Sequence, residues 1–228
     1  MAEQFDAELG SRLRLVLDSV DEAARIAGRE PSAITTIVVT KFHPAGLVRR
    51  LHELGVRDFG ENRHQEAMAK ATELADLDLD WHFVGQLQSK KARQVRTYAS
   101  VIHSLDRPSV VDALSSEDGS VDCFVQLNLT DDPGRGGVQD VELEQLTARV
   151  LETAGLRLLG VMAVAPLDEE PRRAFARVRS ASERVRTLAP DATFISAGMS
   201  ADFRDAILEG ATHLRIGTAI TGKRPADG

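Results

Sequence analysis

The chain has 228 residues and a formal net charge of −7 at pH 7, with 28 lysines and arginines against 35 aspartates and glutamates. That length holds one sizeable core and falls slightly short of the about 250 residues typical of a (β/α)8 barrel, so 1–228 is read as a single domain. The acidic balance argues against nucleic acid or an anionic membrane surface as partner, and no run approaches the roughly 20 apolar residues of a membrane span.

In chain order, Phe5, Leu9, Leu13, Val16, Val20, Ala24 and Ala27 recur at three- and four-residue spacing and predict an amphipathic opening helix ended by Gly28. Its acidic start is unlike a secretory leader. The run Ile34 to Pro44, I-T-T-I-V-V-T-K-F-H-P, is β-branched without polar alternation, which suits a parallel strand covered on both faces. It delivers Lys41 at its carboxyl end, and Leu47, Val48, Leu51 and Leu54 then mark a helix. Strand and helix go on alternating: Asp58–Asn62 and a helix to Leu74, Trp81–Gly85 and a helix through Val95, Val101–Leu105 and a helix opening at Pro108. Val121–Leu129 precedes a helix over Val141–Ala154, Leu156–Val164 one over Glu170–Leu188, and Thr193–Ser196 one over Ala201–Glu209; His213–Ile220 closes the series. The lone cysteine, Cys123, lies in an apolar strand, cannot form an internal disulfide and reads as a small buried hydrophobe of a cytosolic protein. Eight strands alternating with helices point to a closed parallel barrel. A doubly wound open sheet gives the same alternation but would need a nucleotide fingerprint that the sequence lacks.

In a barrel the carboxyl ends of the strands converge on one mouth. The residues delivered there are Lys41, Asn62, the Gly85–Gln88 loop, the segment after His103, the loop Asp131–Gly137, Met162–Pro166, Ala197–Ser200 and Arg215–Thr218. Burial against the strand favours a neutral Lys41 amine, which can attack a carbonyl; the plain alternative is a lysine that snorkels to solvent. In S-A-G-M-S-A-D, Ser200 stands at the expected cap of the seventh barrel helix, and in R-I-G-T, Gly217 and Thr218 add backbone donors and a hydroxyl. An amine and an anion cradle across one mouth suit a phosphorylated aldehyde, such as pyridoxal 5′-phosphate. A cofactor-free aldolase acting on a phosphorylated sugar would use the same pair.

The motifs V-T-K-F-H-P, F-G-E-N-R-H-Q-E, W-H-F-V-G-Q-L-Q-S-K-K, D-D-P-G-R-G-G, G-V-M-A-V, G-M-S-A-D and R-I-G-T-A-I occur in this order. Together they resemble the YggS/PROSC family, the pyridoxal phosphate homeostasis proteins, themselves similar to the alanine racemase barrel and its fold-type III relatives. The resemblance implies a pyridoxal phosphate carrier that buffers the cofactor or delivers it to apo-enzymes. Lys41 would hold the cofactor as a Schiff base, and Ser200, Gly217 and Thr218 its phosphate. Arg215 would face the ring nitrogen, and Asn62, His82 and Met162 would line the pocket. Arginine cannot accept the ring proton, which weakens the ring as an electron sink. His82 alternates with core residues and reads equally as a satisfied core histidine.

Some positions depart from the family pattern. His43 stands where a second lysine often follows the first, Arg135 replaces a lysine in the fifth-strand loop, Ala197 replaces a commoner methionine, and Thr221 an aromatic. A racemase needs a base on each face of the substrate carbon. The alanine racemase pattern takes its second base, a tyrosine, from another domain, and the one tyrosine here, Tyr98, follows the third barrel helix. The resemblance therefore favours a carrier over a racemase-like enzyme, and with no further domain to pair through, a monomer.

Overall fold

The computed structural model describes residues 2–222, with the side chains of residues 7–132 and 134–222. Eight parallel strands close on themselves in sequence order. They are β1 (Thr35–Val39), β2 (Asp58–Glu61), β3 (Asp80–Phe83), β4 (Val101–Leu105), β5 (Val121–Leu127), β6 (Leu156–Ala163), β7 (Phe194–Ser196) and β8 (His213–Ile216). The seam is the β1–β8 ladder, Thr35 opposite His213 through Val38 opposite Ile216.

The helices are α1 (Ala2–Ile26), α2 (Ala45–Glu53), α3 (His64–Glu73), α4 (Ala92–Arg96), α5 (Pro108–Leu114), α6 (Leu143–Glu152), α7 (Pro171–Leu188), α8 (Phe203–Leu208) and α9 (Thr218–Thr221). The expected opening helix is present, and its Leu9, Leu13, Val16 and Val20 are buried. It packs over α8 and α9 at the seam, and Arg12 Nε donates to the Ile220 carbonyl at 2.8 Å. The Phe5 side chain, read into the same stripe, and Lys223 and Arg224 after the last motif lie outside the described residues.

Alternation along each strand sorts side chains between two cores. Val38, Phe59, Trp81, Phe83, Ile102, Val125 and Leu214 face the helices and join the main cluster. The opposite parity fills the barrel, where Val101, Phe124 and Met162 form a separate apolar plug. Inside, the His103 ring of β4 stacks on Phe124 of the adjacent β5, 4.6 Å between centroids, and a contact between strands that are not neighbours proves the interior: His103 Nδ1 reaches Ser196 Oγ of β7 at 2.8 Å. Where β6 runs past β5 the register shifts between Cys123 and Phe124. Gly160, at φ 153°, sits there against the Phe194 backbone, where any side chain would collide.

Several element ends differ from the pattern-based reading by one or two residues, as with β3 and β5, which stop at Phe83 and Leu127 and not at Gly85 and Leu129; two differences bear on the site. The eighth strand stops at Ile216, four residues short of the expected Ile220. Its β-branched residues Thr218, Ile220 and Thr221 favour a strand, but Ile220 and Thr221 donate to the Gly217 carbonyl at 2.9 and 3.0 Å and bury as a turn of helix. Tertiary packing overrides propensity here. The helix after β7 begins at Phe203, so Ser200 is not its cap; Asp202 precedes it, and its carboxylate accepts from the Met199 N–H at 2.6 Å.

Candidate functional site

Lys41 follows directly from the parity of β1. Ile37 and Val39 face the axis, where a side chain on Gly60 of β2 would meet both, and the next position of that parity is Lys41. Its turn is strained and clamped. The Thr40 carbonyl accepts from the His43 N–H at 3.0 Å, and Phe42 between them has φ 68°, a conformation that ordinarily asks for glycine.

A buried ionic cluster behind the wall holds that turn. Lys70 of α3 donates to the Thr40 carbonyl at 2.8 Å, to Glu61 Oε1 at 2.6 Å and to Glu66 Oε1 at 2.8 Å. Glu66 Oε1 also takes the Phe42 N–H at 2.5 Å, and Glu61 Oε1 takes the Thr40 hydroxyl at 2.7 Å. Burial pushes the Glu61 carboxyl above its ordinary value, against the pull of Lys70 and Thr40. The His43 imidazole is held below its usual range by burial and by Lys70, with Glu66 opposing, so this departure from the family lysine places a neutral ring beside the turn.

Across the seam, β8 and β7 bring their loops together. The Ser200 hydroxyl accepts from the Ala219 N–H at 3.5 Å, tying the segment after β7 to the start of α9. Among the described residues the backbone N–H groups of Ser200, Ala201 and Thr218 take no acceptor. Thr218 is exposed and Ser200 half-buried. Gly217 lies close to Val39 of β1, two residues before Lys41. Ser200 is not a helix cap, and with Gly217 and Thr218 it brings three N–H groups and two hydroxyls to the edge of the strand that precedes Lys41.

Arg215 enters the barrel from β8, is 5% exposed and donates to Ser196 Oγ at 2.6 Å and to the Ala163 carbonyl at 2.8 Å. Burial lowers its pKa to about 10, against the pull of Asp202, so it remains a cation at neutral pH. Met162 is buried in the apolar plug beneath. Asn62 follows β2 with its backbone pressed against Gly85, where a side chain could not fit, so the Gly85–Gln88 loop starts flush with it. The Asp131–Gly137 loop turns back over the opposite rim: Gly136, at φ 49°, lies against Gln86, Asp106 and Gln126, while Arg135 is exposed.

His82 differs from the other candidates. It is 3% exposed, and its ring spans Asp58 Oδ1 at 3.0 Å and His103 Nε2 at 2.9 Å. Neither nitrogen is left for a ligand, so the ring belongs to the barrel interior and not to the rim. Tyr98 reaches His64 Nδ1 with its hydroxyl at 3.4 Å, outside the barrel wall, and burial raises its phenol pKa.

Pattern reading overlooked His103, Ser196 and the Glu61–Glu66–Lys70 cluster. Parity along V-I-H-S-L would have turned His103 inward with Val101. A lysine four residues after Glu66, three after the buried Ala67, was the trace of the ionic cluster.

Neutral histidines in this interior predict acid sensitivity. Burial drives His213 from 6.5 to about 4, with His82 and Arg215 adding and Asp58 opposing. The unfolded chain therefore takes the proton first as pH falls. The stability is fully present above about pH 6.5 and is lost towards about pH 4, an effect on the order of 2–3 kcal/mol for this ring. Urea unfolding followed from about pH 7.5 to about pH 4.5 is expected to show that decline, and His213→Gln to flatten it. Equal slopes in the two proteins would remove His213 from the account.

Residues 4–225 match the family described as alanine racemase, N-terminal domain. The pyridoxal phosphate homeostasis protein of Corynebacterium glutamicum is 37% identical over 217 residues, which span 90% of this chain and 97% of that protein. That of Pseudomonas aeruginosa is 38% identical over 224 residues, 95% of this chain and 96% of the other. PipY of Synechococcus elongatus, solved with pyridoxal phosphate bound, is 34% identical with a TM-score of 0.78, over 94% of this chain and 100% of that one. Alanine racemase of Corynebacterium glutamicum, at 17% identity and a TM-score of 0.63 over 93% and 62%, shares the fold. With a closed eight-stranded parallel barrel, and homeostasis-protein relatives matched along nearly their whole length, the chain belongs to the family of pyridoxal phosphate homeostasis proteins, built on the alanine racemase N-terminal barrel.

Proposed function

We propose that this chain binds pyridoxal 5′-phosphate as a Schiff base on Lys41 and works in its homeostasis, buffering the free aldehyde and releasing it to apo-enzymes in the cytosol. One observation carries the reading: the inward register of β1 sets Lys41 beside the seam where Ser200 and Ala219 meet. The residues suit the group. Ser200, Ala201 and Thr218 offer N–H donors without acceptors among the described residues, Arg215 brings a cation to the barrel floor, and Met162 an apolar surface. When bound, the cofactor supplies a reactive aldehyde and an electron-poor ring.

The chain's own residues favour holding over turnover. Arg215 offers only donors, so it leaves the ring nitrogen unprotonated. The Tyr98 hydroxyl is engaged by His64 outside the wall, which sets it apart from a base across the mouth from Lys41. Borohydride treatment of cofactor-loaded protein followed by mass spectrometry tests the reading: the reduced adduct is expected on Lys41, and an adduct on another lysine overturns it. Chiral analysis after incubation with single L-amino acids is expected to find no enzyme-like racemisation; rapid racemisation would replace the carrier by a racemase.

The phosphate cradle has its own test. Charge-assisted hydrogen bonds contribute about 1.5–3 kcal/mol each, so Ser200→Ala with Thr218→Ala is expected to weaken pyridoxal phosphate binding at least about tenfold. Binding of pyridoxal, which has no phosphate, should stay the same in a parallel titration. Equal losses for both ligands would move the phosphate elsewhere.

A further inference from the structure

A line of hydrogen bonds runs through the barrel from its amino end to the floor of the mouth, and the cofactor reading uses only its last member. Asp58 Oδ1 lies 3.0 Å from His82 Nε2, His82 Nδ1 2.9 Å from His103 Nε2, and His103 Nδ1 2.8 Å from Ser196 Oγ. Ser196 Oγ in turn takes the Arg215 guanidinium at 2.6 Å. The line passes from β2 through β3 and β4 and then crosses the interior to β7 and β8. His103 and Ser196 are fully buried, while the Asp58 side chain is 32% exposed.

With one hydrogen on each ring, the two ends fix its direction. A guanidinium only donates and a carboxylate only accepts. His82 therefore gives its Nε2–H to Asp58 and accepts at Nδ1; His103 gives its Nε2–H to His82 and accepts at Nδ1; the Ser196 hydroxyl donates to His103 and accepts from Arg215. Each of the four ring nitrogens and the Ser196 hydroxyl hydrogen then has one partner. Burial holds the His103 imidazole far below its ordinary pKa, in keeping with a neutral ring. The neighbouring His213 stays out of the line, its Nδ1 against Thr212 Oγ1 at 2.9 Å.

We propose that Asp58, His82, His103 and Ser196 are positioning residues for Arg215, and that the carboxylate at the amino end selects, tautomer by tautomer, the acceptor that Ser196 presents to the guanidinium. If His103 carried its hydrogen on Nδ1, that hydrogen would point at Ser196 and leave the hydroxyl hydrogen without an acceptor among the described residues. The His82 Nε2 lone pair would then face the Asp58 carboxylate. The Asp58 oxygen, an acceptor with no hydrogen of its own to give, sets the line against that state, and Arg215 keeps one orientation, its remaining N–H groups free for the mouth. The consequence for the cofactor rests on the reading in which Arg215 meets the ring.

The test uses the full chain without cofactor. Long-range proton–nitrogen NMR is expected to find both His82 and His103 protonated at Nε2 and unprotonated at Nδ1. Asp58→Leu is expected to turn His103, which residue 58 does not touch, into a mixture of tautomers and to shift the Arg215 Nε–H signal. Asp58→Asn keeps an acceptor oxygen and is expected to preserve both. Ser196→Ala cuts the line beside Arg215, shifts its Nε–H signal and, combined with Asp58→Leu, abolishes the further shift; it also serves alone should the leucine variant fail to fold. An Nδ1-protonated His103 in the wild type, or an Arg215 signal indifferent to Ser196→Ala, overturns the proposal. Loaded with pyridoxal phosphate, Asp58→Leu is expected to raise the dissociation constant about three- to tenfold. NMR changes without any change in affinity or absorption would retain the line and overturn its coupling to the cofactor. A wild type that takes no pyridoxal phosphate would instead sink the function proposed above, with the nitrogen signals still deciding the line.

Discussion

Lys41→Ala is expected to yield a folded, colourless protein that binds pyridoxal phosphate reversibly and at least about a hundredfold more weakly, a loss of about 3 kcal/mol. The size follows from what each part of the site contributes. On the proposed reading Ser200, Gly217 and Thr218 remain and would still hold the phosphate through N–H groups and hydroxyls. What would disappear is the covalent attachment that fixes the aldehyde. Folding should be spared, because the Lys41 side chain is half-exposed and the turn is held by backbone groups: the carbonyl of Thr40 and the N–H of Phe42. Absorbance titration and the thermal midpoint measure the two effects separately. Retention of colour and of wild-type affinity would place the linkage on another lysine, and Lys70, which reaches the Thr40 carbonyl beside Lys41, is one alternative, although it is buried in its own ion pairs.

The barrel was legible because its signals are local. A β-branched run such as Ile34 to Thr40 allows few backbone states, and eight such runs separated by apolar stripes leave little but a closed parallel sheet. The end of a strand is less local. Thr218, Ile220 and Thr221 carry strand propensity, yet Gly217 turns the chain and the burial of Ile220 against the seam settles the helix. The candidate residues that lie along one strand or loop, Lys41, Gly217 and Thr218, were readable for the same reason as the strands. Ser200 was picked out as a cap, which it is not; its hydroxyl instead accepts from the Ala219 N–H. His82 shows the opposite case: motif position suggested the pocket, whereas its partners Asp58 and His103 come from the neighbouring strands on either side. Pairings made across the barrel, such as His103 with Ser196, separated by 93 positions, leave no trace in composition or period, since nothing local distinguishes a buried histidine that has partners from one that does not.

Lys70→Met is expected to be the most destabilising single change near the site, costing about 3–5 kcal/mol, because breaking a buried ion pair strands the charges left behind. In this family member Lys70 neutralises two carboxylates at once, Glu61 at 2.6 Å and Glu66 at 2.8 Å, and its third hydrogen bond carries the Thr40 carbonyl. Glu61 is 1% exposed, and among the described residues its Oε2 already lacks a hydrogen-bond partner. At about 2–4 °C per kcal/mol for a chain of this size, the thermal midpoint should fall by on the order of 10 °C. The pH dependence identifies the cause. Burial already raises the Glu61 pKa while Lys70 opposes the rise; without the ammonium the folded-state value climbs further. A carboxyl whose pKa is raised on folding contributes stability while it is protonated and loses that contribution as pH rises through its folded value. The gap between wild type and variant is therefore expected to be widest at about pH 8 and to narrow towards about pH 5. Glu61→Gln added to Lys70→Met should recover much of the loss at high pH, since an amide can accept from the Thr40 hydroxyl without a charge. The same cluster holds the N–H of Phe42 in its left-handed conformation, a state costing about 1–3 kcal/mol that persists only where its surroundings enforce it. Relaxation of that turn should also slow the attachment of pyridoxal phosphate at Lys41 in the surviving folded fraction. A variant as stable as the wild type at about pH 8, with an unchanged rate of attachment, would mean that the turn holds Lys41 without help from α3.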